Sequence, residues 1–199
     1  MKEGFSHKQD TLSMQWEKTP LEGLFVITPA VYGDERGNFS ETYRADVLAS
    51  VVGADIRFIQ DNQSHSKHKG TLRGIHFQRA PFAQTKLVRC VTGALYDVAV
   101  DLRDGSPTFG RWFGIELSAQ NAKQLFIPAG FGHGFLTLTD DVIIAYKVDA
   151  PYNKDSEATL RWDDPDVGIV WPVAVGVMSE RDQKITTNLQ SLLKEFCQG

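Results

Sequence analysis

The chain has 199 residues, enough for one well-cored domain and too few for two. Hydrophobic residues make up 42% and charged residues 23%, the balance of an ordinary soluble globular protein. A formal net charge of −4 gives no reason to expect nucleic acid or an acidic membrane as partner, although a local basic cleft can still hold a phosphorylated ligand. Cys90 and Cys197 are the only cysteines, too few for a disulfide framework and in keeping with a reducing compartment. Residues 1–21 are polar and lack the apolar core of a signal peptide. No apolar run approaches the roughly 18 residues of a membrane span. The expectation is a cytoplasmic protein with an N-terminal extension at 1–21 and a single domain over 22–199.

In chain order, Leu24–Thr28 reads as a strand closed by Pro29, and Tyr32–Phe39 as a turn built on Gly33-Asp34 and Arg36-Gly37-Asn38. Ala45–Val52 reads as a short helix with Asp46 in its first turn and Gly53 just past its end. After Gly70 one strand succeeds another. Tyr96, Val98, Val100 and Leu102 alternate with Leu95, Asp97, Ala99 and Asp101, the period of a half-buried strand. Phe113, Ile115 and Leu117 alternate in the same way, and Val142, Ile144, Tyr146 and Val148 do so less cleanly. Turns recur at Thr92-Gly93, Asp104–Pro107 and Pro128–Gly130, a spacing that predicts an antiparallel sandwich or barrel. Leu189, Leu192, Leu193 and Phe196 then mark an amphipathic C-terminal helix.

Two stretches carry the chemistry. Gly70–Gln78 places Arg73 and His76 on a glycine-punctuated apolar strand, and Ile127–Phe135 places His133 at the start of another. Histidine both takes and gives a proton near neutral pH, so two of them on one β scaffold point to a catalytic pocket. Arg73 and Lys86 are costly to direct into a barrel unless they meet an anion. Pro128-x-Gly130-x-x-His133 resembles the second motif of the cupin superfamily. The place of that superfamily's first motif reads His76-Phe77-Gln78, with no acid between Gln78 and Lys86. A transition-metal site wants three or four His, Asp, Glu or Cys ligands, so no metal is expected.

The run Tyr32–Gly37, Gln60-Asp61-Asn62, Leu72–Gln78, Lys86–Arg89, Asp97–Arg103, Ser106–Gly110, Ile127–Phe135, Trp162–Pro165 and Ser179–Asp182 resembles the dTDP-4-dehydrorhamnose 3,5-epimerase family in one order, over about residues 22–182. The resemblance implies a mainly β, cupin-type double-stranded β-helix, or jelly roll, with short flanking helices and a C-terminal helix. It also implies a homodimer, free of metal and cofactor, that converts dTDP-4-keto-6-deoxy-D-glucose to dTDP-4-keto-L-rhamnose on the route to dTDP-L-rhamnose. By the same resemblance His76 is the base, Asp182 the carboxylate that orients it, Tyr146 the acid on the opposite face, and Lys86 the cation near the enolate oxygen. Arg36 and Arg73 match phosphate-holding positions; Glu41, Gln60, Asp61, Asn62, His133 and Glu157 match other binding positions. Tyr152 matches an aromatic that stacks on thymine, and Arg181 stands where a substrate-contacting lysine is common. The chain also departs from the family pattern at Thr85, where glycine is usual, and at Ala150-Pro151. Three alternatives stay open: a single-carbon C3 or C5 epimerase of a related deoxysugar pathway, a metal-dependent cupin enzyme, and a non-catalytic sugar-nucleotide binder.

Overall fold

The computed structural model describes residues 14–196, of Phe196 the backbone alone. Residues 1–13 and Cys197 lie outside the described part. The first half of the chain runs β1 (Gln15–Lys18), β2 (Phe25–Thr28), β3 (Tyr32–Asp34), β4 (Gly37–Phe39), α1 (Ala45–Val52), β5 (Gln60–Ser66), β6 (Leu72–Gln78) and β7 (Lys86–Thr92). The second half adds β8 (Ala94–Asp101), β9 (Trp112–Ser118), β10 (Gln124–Ile127), β11 (Phe131–Thr137), β12 (Val142–Val148), β13 (Glu157–Thr159), α2 (Glu180–Gln183) and α3 (Leu189–Phe196).

Eleven of these strands form two antiparallel sheets, β1-β2-β10-β7-β12-β5 and β13-β6-β11-β8-β9, the two layers of a jelly roll. Within the stretch read as an extension, β1 pairs with β2, bringing Trp16 opposite Ile27. The turn expected at Tyr32–Phe39 is a small hairpin, β3 with β4, every residue of which is exposed. Helix α1 ends as its sequence predicts: Gly53 takes φ 74° and its N–H donates to the Ala49 carbonyl.

Alternation along the strands builds three separate cores. Val88, Cys90, Leu95, Ala99, Leu117, Leu125, Phe131, Phe135 and Ile144 meet between the sheets. The opposite face of the five-stranded sheet buries Ile75, Phe77, Val98 and Val100 under Leu160, Val167, Leu189 and Leu192. The opposite face of the six-stranded sheet packs Phe25, Ile27, Leu87 and Phe126 under Leu48 of α1. β8 is therefore covered on both faces rather than half-buried, because the chain after β13 folds back over it. That cover includes α3, which buries Leu189 and Leu192 but leaves Leu193 exposed at the rim; the Phe196 side chain lies outside the described residues.

The pairing of β6 with β11 is irregular. His133 faces His76 and Phe135 faces Arg73, a step of two residues on one strand against three on the other. This is a β-bulge, with Gly74 at φ 120°. The backbones meet closely here, since a Cβ on Gly74 would lie 2.5 Å from Gly134 Cα and 2.7 Å from the His133 carbonyl oxygen. Gly74→Ala should therefore destabilise the protein by about 1–3 kcal/mol in urea unfolding, the usual cost of overpacking, plus the strain of positive φ. Gly105→Ala, also at positive φ (67°) but with nothing within 4 Å of the new Cβ, should carry only the strain. Equal costs at both positions would show that the β6–β11 approach tolerates a methyl group.

Candidate active site

The same alternation that packs the central core sends polar side chains into the space between the sheets at one end. On β6, β8 and β11 these are His76, Asp97 and His133, in register with the inward Leu95, Ala99, Phe131 and Phe135. On the facing sheet, Lys86 shares the parity of Val88 and Cys90, and Tyr146 that of Val142 and Ile144. Arg73 and His76, three apart, would point to opposite faces of a regular strand. The bulge at Gly74 brings both to the same side.

They line one cavity of about 510 Å³ with Lys86, His133, Tyr146, Arg181 and Asp182. An adjoining hollow of about 300 Å³ shares His76, Lys86 and Tyr146 and adds Gln60, Asn62, Tyr152 and Glu157. The two histidines form one wall, Lys86 and Tyr146 the other. Asp61 alternates away from this space and holds the Lys147 ammonium at 2.8 Å. Arg36 and Glu41 line neither hollow. Arg36 projects from the β3–β4 hairpin into solvent, paired with Asp34, and Glu41 sits 3.8 Å from Arg44.

Each histidine is held by a carboxylate. His76 Nε2 lies 2.7 Å from Asp182 Oδ1, and His133 Nε2 lies 2.8 Å from Asp97 Oδ1. An ionised carboxylate only accepts, so Nε2 carries the proton and Nδ1 of neutral His76 keeps its lone pair. Asp182 is buried on α2, whose N-cap Ser179 accepts from the Asp182 N–H at 3.0 Å. Burial alone would raise the Asp182 carboxyl. The hydrogen bond and charge of His76, with Ser179 and the Gly74 backbone, outweigh it and hold the group below the usual carboxylate range.

Asp97 is absent from the candidates that the sequence offers. It is fully buried, and its Oδ2 has no hydrogen-bond partner among the described residues. The available signal is a charge at an inward position between Leu95 and Ala99.

Across the cavity, burial pushes the Lys86 ammonium down to about 8, with the negative charges of Asp97 and Glu157 working the other way. The lysine keeps some solvent contact through the cavity mouth. Burial also raises the Tyr146 phenol, offset in part by the positive charge of Arg73, so it stays protonated at neutral pH. Arg73 donates to Ser66 Oγ at 3.2 Å and to the His65 carbonyl at 3.1 Å, and among the described residues it makes no ion pair. Its charge is free for an anion.

Gln78, at the place of a second cupin histidine, serves the scaffold instead. Its amide donates to the Phe82 and Pro151 carbonyls and accepts from the Asn153 N–H. Among the described residues no group of three or more His, Cys, Asp or Glu side chains is placed to hold a metal ion.

The family model for dTDP-4-dehydrorhamnose 3,5-epimerase matches residues 18–190. The chain belongs to that family. A member from Sinorhizobium fredii, named dTDP-4-dehydrorhamnose 3,5-epimerase, is 51% identical over 85% of this chain and 87% of its own. One of the same name from Shigella flexneri is 47% identical over 83% and 91%. The dTDP-6-deoxy-D-glucose-3,5-epimerase of Legionella pneumophila, solved in complex with dTDP-4-keto-L-rhamnose, superposes with a TM-score of 0.87 at 41% identity, covering 92% of this chain and 97% of that one. Membership makes the chain an isomerase of the epimerase type on a cupin-like jelly roll.

Lys86 gives a pH test. Its folded value near 8 lies below the ordinary 10.5, so between these values the unfolded chain binds a proton that the folded one has released. Through this group stability rises with pH across that window. Urea midpoints at pH 7.5, 9 and 10 should therefore improve in the wild type relative to Lys86→Met. Parallel pH profiles for the two proteins would show that the lysine titrates normally.

Proposed function

We propose that this chain is a dTDP-4-dehydrorhamnose 3,5-epimerase, converting dTDP-4-keto-6-deoxy-D-glucose to dTDP-4-keto-L-rhamnose in dTDP-L-rhamnose biosynthesis. The observation that carries the reading is the placement of a carboxylate-held histidine and a protonated, half-buried phenol on opposite walls of one cavity, with a lysine on the phenol's side.

Epimerisation beside a ketone needs this arrangement. A carbon next to C4 is acidic because the carbanion left behind delocalises onto the carbonyl oxygen as an enolate. His76 Nδ1 removes the proton from one face, and Asp182 stabilises the imidazolium that forms. Lys86 meets the negative charge that develops on the oxygen. Tyr146 returns a proton from the other wall, and the centre inverts. C3 and C5 flank the same ketone, so a single oxygen site serves both carbons. After each inversion the phenolate on Tyr146 takes a proton from solvent and the His76 imidazolium releases one to it, which resets both groups for the next carbon.

Arg73 holds the diphosphate with its unpaired guanidinium, while Gln60, Asn62, His133 and Glu157 contact the sugar and its surroundings. Tyr152, 58% exposed at the mouth, offers its ring to the nucleobase. Arg36 and Glu41 belong to the same proposal through a homodimer: they lie outside their own chain's cavity, Arg36 exposed and Glu41 partly so, and are available to a second copy. Sedimentation equilibrium should then give twice the chain mass, and a monomer at working concentration would remove these two residues from the site.

The test of the activity is proton NMR of the enzyme with dTDP-4-keto-6-deoxy-D-glucose in deuterated water. Deuterium should enter at both C3 and C5 with inversion. His76→Ala should lower exchange at both carbons by about 10²–10⁴-fold or more, the usual worth of a positioned base, while dTDP still binds. Tyr146→Phe should slow product formation more than exchange at C3. Exchange at one carbon only would make the chain a single-site epimerase, and no exchange would leave a binder of sugar nucleotides.

A further inference from the structure

At the cavity mouth three side chains from separate segments converge. Arg181 Nη2 lies 2.6 Å from Glu157 Oε1, and the Tyr152 hydroxyl donates to Glu157 Oε2 at 2.8 Å. Glu157 opens β13, the edge strand beside β6, and Tyr152 stands in the loop leading to it. Arg181 is next in sequence to Asp182 on the single turn of α2. The two neighbours point different ways, Asp182 inward to His76 and Arg181 sideways to Glu157.

Apart from Asp182 itself, which meets His76 and the Gly74 backbone, helix α2 has few other anchors. Its N-terminal side is tied to β6 by the Leu72 N–H to the Val177 carbonyl and by the Val177 N–H to the Gly70 carbonyl. Four residues cannot hold a helix by their own hydrogen bonds, so the position of Asp182 depends on what α2 is fastened to. Glu157 is well suited as the fastening. It is largely buried, and although burial raises its carboxyl, hydrogen bonds from Arg181 and Tyr152 bring it below the usual range and keep it charged. Arg181 pairs with Glu157 through Nη2 and also lines the cavity, where its planar fork can meet an anionic ligand as well. A lysine, with a single nitrogen, serves both duties less well.

We propose that Tyr152, Glu157 and Arg181 act as one clasp that couples occupancy of the nucleobase platform to the alignment of Asp182, and so of His76, making the nucleoside diphosphate end of the substrate a condition for proton abstraction at the sugar. The clasp rests on the epimerase reading of the same site. Glu157 and Arg181 are then positioning residues for the base as well as contacts for the ligand.

The test is a double-mutant cycle on Arg181→Gln and Glu157→Gln. It is read as kcat and KM for dTDP-4-keto-6-deoxy-D-glucose, the dissociation constant of dTDP by calorimetry, and urea midpoints. Residues acting as one unit give non-additive losses. Each single change should lower kcat by about tenfold, and the double change by no more than a further factor of about two. Tyr152→Phe, which keeps the ring and removes the hydroxyl, should lower kcat while dTDP affinity stays within about twofold. Arg181→Lys, which can still pair with Glu157, should recover part of the kcat lost in Arg181→Gln. Multiplying losses, about a hundredfold in the double variant, would overturn the clasp, as would effects confined to KM. If the wild type exchanges no substrate proton, the epimerase reading itself falls. If it exchanges protons and the cycle is additive, only the clasp does.

Discussion

The close approach of β6 to β11 is the constraint on which the site depends. Gly74 and Gly134 let two backbones meet where any side chain would intrude, and the bulge formed there adds one residue to β6. That residue changes the parity of the strand between Arg73 and His76. Without it, one of the two would point into the apolar layer beneath Leu160 and Leu192. A local backbone device thus sets the Arg73 cation and the candidate base in one cavity, and neither could be moved there by a rotamer change.

Once these side chains face inward, electrostatics decide their states. A buried carboxylate is tolerated when it is hydrogen-bonded, and Asp182 and Asp97 each have a histidine for this purpose. The two pairs differ in setting and exposure. His133–Asp97 is built into adjacent strands and almost wholly buried, whereas His76–Asp182 spans a strand and a one-turn helix, with His76 still open to the cavity. The strand-bound pair shapes the wall, and the open pair is the one fit to exchange protons with a ligand. Lys86 faces Asp97 and Glu157 through the same low-dielectric space, which keeps its depression moderate despite burial.

Much of this is legible in the sequence because jelly-roll strands write their faces in alternation. The strands around Val98, Ile115 and Ile144, the helix ended by Gly53, and His76, Lys86, Tyr146 and Asp182 can all be named from residue type, spacing and family resemblance. What escapes depends on neighbours distant in sequence. The burial of both faces of β8 comes from a segment some sixty residues later, so its alternation suggests a solvent face that does not exist. Asp97 shows in the sequence only as a charge among the inward Leu95 and Ala99, because its partner His133 comes from another strand. The separation of Arg36 and Glu41 from the cavity arises from the hairpin's place in the tertiary fold, which no local pattern records. The pairing of Arg181 with Glu157 joins elements with no shared periodicity.

The three-core arrangement has a consequence for how such a protein can change. Along β6, His76 looks into the cavity while Ile75 and Phe77, on either side of it, anchor a different apolar layer. Along β8, Asp97 lies inward and Val98 outward in the same way. Folding stability and chemistry are thus carried by interleaved positions of the same strands. Substitution in the reactive set leaves the outward anchors in place, so the scaffold can survive while its chemistry drifts, and new substrates can be explored without first relearning how to fold.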